Sequence, residues 1–259
     1  MKILFLGDVV ARTGRDAVLN RLPGLLRECG ADFTVINGEN AAHGKGITTA
    51  IYHELIAAGA DVITLGNHAF SKSEISAAFE ECPYLVRPAN MEPEGIGRCW
   101  VIRERAGKKI AVVNILGSVF MNLAAGKSYP VMEEILSRIE ADIIIVDLHA
   151  EATGEKELFW ILYRDRLTAV IGTHTHVQTA DERITDGCAY ISDVGMCGPF
   201  DSVLGRDSRE LIDRMYGKNT RYTPADSPAV ICGVLIDIDD STNRAVNIIR
   251  IQERPADAA

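Results

Sequence analysis

The sequence predicts an α/β fold, two mixed sheets with helices on the outside, and three observations predict it. Short Val/Ile/Leu runs recur along the chain, as expected of strands buried on both faces. In the first half these runs alternate with helical segments, the pattern of βαβ units. In the second half tight turn signals join them, the pattern of antiparallel hairpins. At 259 residues the chain is long enough for a large α/β domain, and with no linker, repeat or low-complexity tract positions 1–259 read as a single one.

The elements follow in order. Ile3 to Leu6 is the first strand. Gly14 to Cys29 carries Ala17-Val18, Leu22 and Leu25-Leu26 at helical spacing, with a kink expected at Pro23-Gly24. Phe33 to Ile36 is a strand. Thr48 to Ala58 is a helix opened by the Thr48-Thr49 hydroxyls and closed by Gly59. Val62 to Leu65 is a strand, and Ser73 to Glu81 a helix stopped by Cys82-Pro83. Tyr84 to Val86, Cys99 to Arg103 and Lys109 to Ile115 read as strands, the last two forming a hairpin through Arg105-Ala106-Gly107-Lys108. Gly117 to Pro130 reads as a loop. Val131 to Glu140 is a helix leading into the Ile143 strand, and Glu155 to Arg164 a helix leading into the Thr168 strand. Asp186-Gly187 between Glu182–Thr185 and Ala189–Ser192 signals a hairpin. Val194 to Gly205, rich in Gly, reads as a loop and Asp207 to Tyr216 as a short helix. Val230 to Ile238 and Ala245 to Ile251 form a closing hairpin, and the tail Arg254 to Ala259 is expected to fray.

Five of these strands stop at residues that bind metals: Gly7-Asp8, Gly38-Glu39-Asn40, Gly66-Asn67-His68, Asp147-Leu148-His149 and Gly172-Thr173-His174-Thr175-His176. Sites in open α/β sheets gather beyond the carboxyl ends of strands. The chain therefore aims carboxylates, amides and imidazoles at one edge, as a metal-dependent hydrolase requires. Two-metal hydrolysis needs ions roughly 3.5–4 Å apart, a carboxylate to bridge them, an acidified water and a proton donor for the leaving oxygen. Mixed O/N ligation suits Mn, Fe, Zn or Co better than Ca or a pure Mg site.

Composition narrows the partner. Net charge is −9 with no long Lys/Arg run, which argues against a long nucleic-acid duplex, while bound metals would still supply charge for a small anionic phosphodiester. The six cysteines are irregularly spaced, without C-x-x-C pairs, and none sits at these strand ends, so free thiols in a reducing compartment are expected rather than a structural zinc site. The apolar stretch before Gly7 is too short for a signal peptide and no run reaches membrane-spanning length, so a cytoplasmic protein without membrane contact is expected. A homo-oligomer is compatible with these features.

The motifs Gly7-Asp8, Gly66-Asn67-His68, His149 and Gly172-Thr173-His174-Thr175-His176 resemble, in chain order, those of the calcineurin-like metallophosphoesterases. Three departures stand out: Val10 where a His is usual, Glu39-Asn40 where an Asp is usual, and Thr173 between Gly172 and His174. These departures resemble the bacterial YmdB-like phosphodiesterase branch. Its signatures are matched further by Asn37-Gly38-Glu39-Asn40-Ala41-Ala42, Val146-Asp147-Leu148-His149-Ala150-Glu151-Ala152-Thr153 and Asp193-Val194-Gly195-Met196-Cys197-Gly198-Pro199. Phe70 stands where that branch commonly has Trp.

The resemblance implies a four-layer α/β/β/α metallophosphoesterase sandwich. It also implies two divalent ions, iron first, with Mn, Zn or Mg as alternatives. The implied activity is hydrolysis of cyclic nucleotides: 2′,3′-cyclic nucleotide to 3′-nucleotide, with 3′,5′-cyclic AMP as a second candidate. Carried over residue by residue, Glu39 bridges, Asp8, Asn40 and His176 complete one ion, and Asn67, His149 and His174 complete the other. Asn40 would compensate for the missing His at position 10. His68 binds no metal and protonates the leaving ribose oxygen.

Plainer readings exist for single residues. Asp8 alone could be a helix cap, Glu39-Asn40 turn residues and His149 a satisfied core histidine. Asp147 could orient a ligand or simply trim a strand end, and Asp193 could anchor the Gly-rich loop to the site or start a turn, the turn being favoured. His43 is a substrate-side candidate that reads equally as a loop residue. Lys45, the other substrate-side candidate, could steer phosphate, as could Arg12 and Arg15, though all three read more readily as solvated surface charge, and His53 reads as surface. Competing functions are a nonspecific phosphomonoesterase, a nucleotide-sensing regulator with low turnover, and an amidohydrolase. The last usually places its H-x-H after the first strand, whereas here it comes last.

Overall fold

The computed structural model of the chain describes residues 1–121 and 126–256. The first half contains β1 (Lys2–Leu6), β2 (Asp8–Val9), α1 (Ala11–Cys29), β3 (Phe33–Asn37), α2 (Thr49–Ala58), β4 (Val62–Thr64), α3 (Ile75–Glu81) and β5 (Leu85–Val86). The middle adds β6 (Trp100–Arg105), β7 (Lys108–Leu116), α4 (Ser128–Leu136), β8 (Ile143–His149), α5 (Thr153–Tyr163) and β9 (Ala169–Thr173). The last part is β10 (Arg183–Thr185), β11 (Cys188–Ile191), β12 (Met196–Pro199), α6 (Ser208–Met215), β13 (Ala229–Ile238) and β14 (Ala245–Glu253).

Two mixed sheets result. The first runs β2-β12-β13-β1-β3-β4-β5, with β14 also on β13; β1, β3, β4 and β5 are mutually parallel and β13 is antiparallel to β1. The second runs β10-β11-β9-β8-β7-β6, parallel from β7 to β11, with antiparallel β6 and β10 at its edges. Alternate side chains of one strand point to opposite faces, and this assigns the layers. Leu4, Leu6, Ile36 and Ile63 join the helices' Val18, Leu22, Leu55 and Phe79. Ile3, Phe5, Val35 and Val62 meet Ile110, Val112, Ile145 and Ile171 of the second sheet. Val113, Val146, Leu148 and Val170 on that sheet's other face pack against Met132, Phe159, Trp160 and Tyr163 of α4 and α5. The order is helix, sheet, sheet, helix, the four-layer sandwich expected.

Most element expectations hold to within a few residues. Thr48 caps α2 by accepting from the Ile51 N–H, Gly59 ends it at φ 122°, and Asp207 caps α6 by accepting from the Glu210 N–H. The hairpins at Ala106-Gly107 and Asp186-Gly187 form, as does the closing one between β13 and β14. α1 runs unbroken through Pro23 and starts at Ala11, earlier than the helical pattern suggests. The expected loop from Val194 to Gly205 is corrected: Met196–Pro199 is a strand, parallel to β2 and antiparallel to β13. So short a strand has no periodicity of its own and exists because two neighbours supply partners. The expected loop over Gly117 to Pro130 gives way to α4 at Ser128, and its positions 122–125 lie outside the described residues, as do the last three positions of the tail. All six cysteines are free thiols, and among the described residues no helix is long and apolar enough to cross a membrane.

Candidate metal centre

β1, β3 and β4 of one sheet and β8 and β9 of the other bring their carboxyl ends together, and the ligand-type residues meet there. Asp8, Glu39, Asn40 and His149 are buried, and Asn67, His174 and His176 are partly so. The His149 Nε2 lies 2.9 Å from Asn67 Oδ1, 3.0 Å from Glu39 Oε1 and 3.1 Å from His174 Nδ1. Beside this group a second one forms, with His176 Nε2 at 3.2 Å from Asn40 Oδ1 and 3.9 Å from Asp8 Oδ1. Gly66 leaves the room this needs: a Cβ there would lie 2.3 Å from Glu39 Oε2 and 2.4 Å from His149 Nε2.

Neighbouring groups fix which atoms face inward. Asn40 donates its amide to the Gly44 carbonyl at 3.0 Å, so its oxygen turns to the site. The Thr173 hydroxyl donates its one proton to Asp147 Oδ1 at 2.7 Å, so at 2.9 Å it can only accept from His149 Nδ1. In the neutral imidazole that a metal would require, Nε2 is then the nitrogen with the lone pair. Asp147 also accepts from Thr64 and Asn37; burial raises its pKa and these donors oppose the rise. Asp147 thus acts on the site through Thr173. His174 Nε2 lies 3.1 Å from the half-exposed Glu151 carboxylate, leaving Nδ1 to face the cluster, and His176 Nδ1 donates to the Leu204 carbonyl at 3.0 Å, leaving Nε2. A carboxylate or carbonyl on the far nitrogen is the usual support of a metal-bound imidazole.

The cluster asks for a cation. Asp8 Oδ1 is buried without any hydrogen-bond partner, which is costly for a carboxylate. Burial, with Asp193 and Glu39 adding to it, raises the pKa of Asp8 despite His176 and His149 nearby. Burial also opposes charge on Glu39, but the His149 imidazolium outweighs it and lowers that pKa. Burial likewise opposes charge on His149, yet Glu39 and Asp8 outweigh it and raise its pKa. One N–H cannot serve Glu39 Oε1, Asn67 Oδ1 and His174 Nδ1 together, whereas a metal ion can. Burial and the His149 charge push His174 down to about 3, so it is neutral and able to ligate. Atoms of Glu39, His149 and His174 lie within 4.8 Å of one another. The residues present fit divalent ions.

A cleft of about 420 Å³ opens above the cluster, lined by His68, Lys45, Glu151, Leu204, Arg206 and Tyr222 among others. His68 donates its backbone N–H to Glu39 Oε2 at 3.1 Å, and its ring faces the cleft beside Ser71. Burial lowers its pKa, with Lys45 assisting and Glu39 opposing. Of the substrate-side candidates, Lys45 lines the cleft and His43 does not. Arg206 and Tyr222, which carry no local motif, stand on the same wall, the guanidinium 4.9 Å from the ring centre. His53 is an exposed residue of α2, Arg12 pairs with Asp16 at the surface and Arg15 donates to the Ala41 carbonyl. A larger concavity of about 520 Å³, at Tyr84, Trp100 and Ile102, contains none of the ligand-type residues.

Of the two readings of Asp193, the contacts favour the anchor over the turn. Its carboxylate accepts from Lys156 Nζ at 3.0 Å, Thr175 N at 2.9 Å and Gly195 N at 2.9 Å, so it holds the His174–His176 segment. Lys156 is buried in α5, where no sequence pattern sets it apart from a solvated lysine.

Two facing sheets with strand ends that converge on buried carboxylates, amides and imidazoles define a hydrolase of the metallophosphoesterase class. A 5′-nucleotidase precursor from Thermus thermophilus shares that fold, with a TM-score of 0.55 over 97% of this chain and 54% of its own, at 12% identity. The chain belongs to the YmdB-like family, whose model matches residues 4–251. It is 48% identical to the 2′,3′-cyclic-nucleotide 2′-phosphodiesterase of Bacillus subtilis strain 168, over 97% of this chain and 96% of that one. The crystal structure of a novel phosphatase from Mycoplasma pneumoniae superposes with a TM-score of 0.92 at 35% identity, covering 98% of this chain and 93% of that one. The chain is a phosphoric diester hydrolase.

Proposed function

We propose that the chain hydrolyses nucleoside 2′,3′-cyclic phosphates to 3′-nucleotides at a dinuclear centre. The observation that carries this is the pair of adjoining donor groups. Asp8, Asn40 and His176 would hold one ion, Asn67, His149 and His174 the other, with Glu39 reaching both. Bound there, two divalent ions, iron first with Mn, Zn or Mg as alternatives, would supply positive charge to the phosphoryl oxygens and acidify the attacking water. The chain's own residues do the rest. The new bond joins water oxygen to phosphorus and the broken bond releases the ribose O2′. His68, on the cleft wall, protonates that oxygen as it leaves. Lys45 adds positive charge on the substrate side of the cleft. The buried Asp147–Thr173 contact and the half-exposed Glu151 carboxylate keep His149 and His174 in ligating tautomers throughout. The 48% identity to a protein named for this reaction supports the ring isomer.

The test is metal analysis of purified protein together with hydrolysis of 2′,3′-cyclic nucleotides, 3′,5′-cyclic AMP, a linear phosphodiester and a phosphomonoester. Two ions per chain and preferred turnover of the 2′,3′-cyclic substrates are expected, with 3′-nucleotide as product. Preference for the monoester would favour a phosphatase, and bound metal with no turnover of any substrate would remove the enzymatic reading.

A further inference from the structure

We propose that the buried Lys156–Asp193 ion pair is a positioning device that sets the two halves of the metal centre against each other; this rests on the metal centre proposed above. Asp8, Glu39, Asn40 and Asn67 come from one sheet, and His149, His174 and His176 follow strands of the other. Something must fix the spacing between these halves, and the segment Ser192–Gly195 touches both. Its Val194 N–H donates to the Gly172 carbonyl at the end of β9, and its Gly195 carbonyl accepts from the Asp8 N–H, at 2.9 and 3.2 Å. The approach is so close that a Cβ on Gly172 would lie 1.8 Å from Ser192 O, and one on Gly7 would lie 1.8 Å from Gly195 O. The glycines that open the Gly7-Asp8 and Gly172-Thr173-His174 motifs are therefore the two places where this segment is pressed against the strands.

The ion pair holds the segment and the histidine turn together. Lys156 Nζ donates to the Thr173 carbonyl at 2.9 Å and to Asp193 Oδ2 at 3.0 Å. The same Asp193 oxygen accepts from Thr175 N at 2.9 Å. The backbone is thus pinned on both sides of His174, whose φ is +100°, while His176 sits at +66°. Side chains rarely adopt these conformations, which persist only when surrounding contacts impose them. Lys156 and Asp193 touch no reacting atom; they act through His174, His176 and Asp8.

The test uses the full chain, stripped with a chelator and reloaded with Mn(II), in wild type and in a Lys156→Met/Asp193→Asn double variant that removes both charges at similar volume. The metal-free variant is expected to keep the wild-type far-UV circular dichroism. Its Mn(II) affinity should fall by about 10–100-fold, the usual effect of losing support behind ligands. The exchange-coupled EPR signal of a close Mn(II) pair should give way to that of isolated ions, and kcat for bis(p-nitrophenyl) phosphate should fall with KM little changed. A folded double variant with wild-type affinity and coupled signal overturns the proposal. If the double variant fails to fold, Lys156→Arg takes its place, keeping the charge but displacing it; the same weakening is then expected and unweakened binding overturns the proposal. A wild-type chain that takes up no Mn(II) overturns the metal centre itself and this proposal with it, a failure visible before any variant is made.

Discussion

Replacing Gly172 by Ala adds one methyl group at the seam between the sheets, and the structure sets its cost. The added Cβ would lie 1.8 Å from Ser192 O and 2.5 Å from its carbonyl carbon, where real Cβ atoms essentially never approach below 3.0 Å. Backbone must therefore move by at least about 1.2 Å, the difference between 1.8 and 3.0 Å. The Ser192–Gly195 segment has little freedom to give, because the Val194 N–H bonds the Gly172 carbonyl and the Asp193 carboxylate holds three donors. Overpacking of this kind costs roughly 1–3 kcal/mol, and a lowering of Tm by about 2–4 °C for each kcal/mol is expected in a chain of this size. Strain relieved by shifting the turn would carry His174 away from His149, and a displacement near 1 Å costs on the order of 100-fold in rate. Gly154→Ala is the matched control. That glycine lies in the first turn of α5 with nothing within 4 Å of the added atom, so Ala should leave stability unchanged or raise it slightly. Thermal melts in chelator and turnover of bis(p-nitrophenyl) phosphate with added Mn(II) check both variants. A Gly172→Ala protein that melts and turns over like wild type would refute the close-approach reasoning.

Other outcomes follow from the site. His68→Ala should lose about 100–10,000-fold on 2′,3′-cyclic nucleotides but far less on bis(p-nitrophenyl) phosphate, whose leaving group departs without a proton; equal losses on both would show that His68 is not the acid. Burial places the pKa of His68 below its ordinary 6.5, and the acid form is present below that pKa and lost as pH rises through it. A pH–kcat/KM profile on the cyclic substrate, which reports the free enzyme, should therefore fall on the alkaline side from below 6.5, and that limb should disappear in the His68→Ala protein. Glu39→Gln should weaken both ions together, as read by metal content after desalting; retention of two tightly bound ions would show that Glu39 does not bridge. Thr173→Val removes the hydroxyl between Asp147 and His149, freeing the imidazole to place its proton on either nitrogen, and a roughly 10–100-fold loss of metal affinity is expected; wild-type affinity would show that the tautomer is set elsewhere.

Much of this protein is legible in its sequence because periodicity and punctuation are local. Continuous runs such as Ile143–Val146 announce strands covered on both faces, Thr48 and Gly59 mark the ends of a helix, and Asp186-Gly187 marks a hairpin. The polar tips on those runs are legible for the same reason: Asn67-His68 and His174-Thr175-His176 each follow a strand, and strand ends are where side chains of separate segments can meet. Two sheets with helices outside are legible from the runs and hairpins; the four-layer order comes from the family resemblance, and the structure bears it out by placing Leu4 and Phe5 in separate cores.

By itself, then, the sequence determined most of the elements, two sheets with helices outside, and the donor types. Tertiary structure alone decided what depends on approach between distant segments. β12 exists because β2 and β13 flank it, not because Met196–Pro199 has a pattern of its own. Lys156 looks like any helix lysine until burial places it against Asp193, and Asp193 looks like a turn residue until Thr175 and Gly195 donate to it. Arg206 and Tyr222 reach the cleft from beyond the last motif. Local sequence encodes which dihedrals and which faces a residue prefers. Close approach, tautomer and the pairing of buried charges are properties of segments far apart in the chain, and only the packed molecule brings them together.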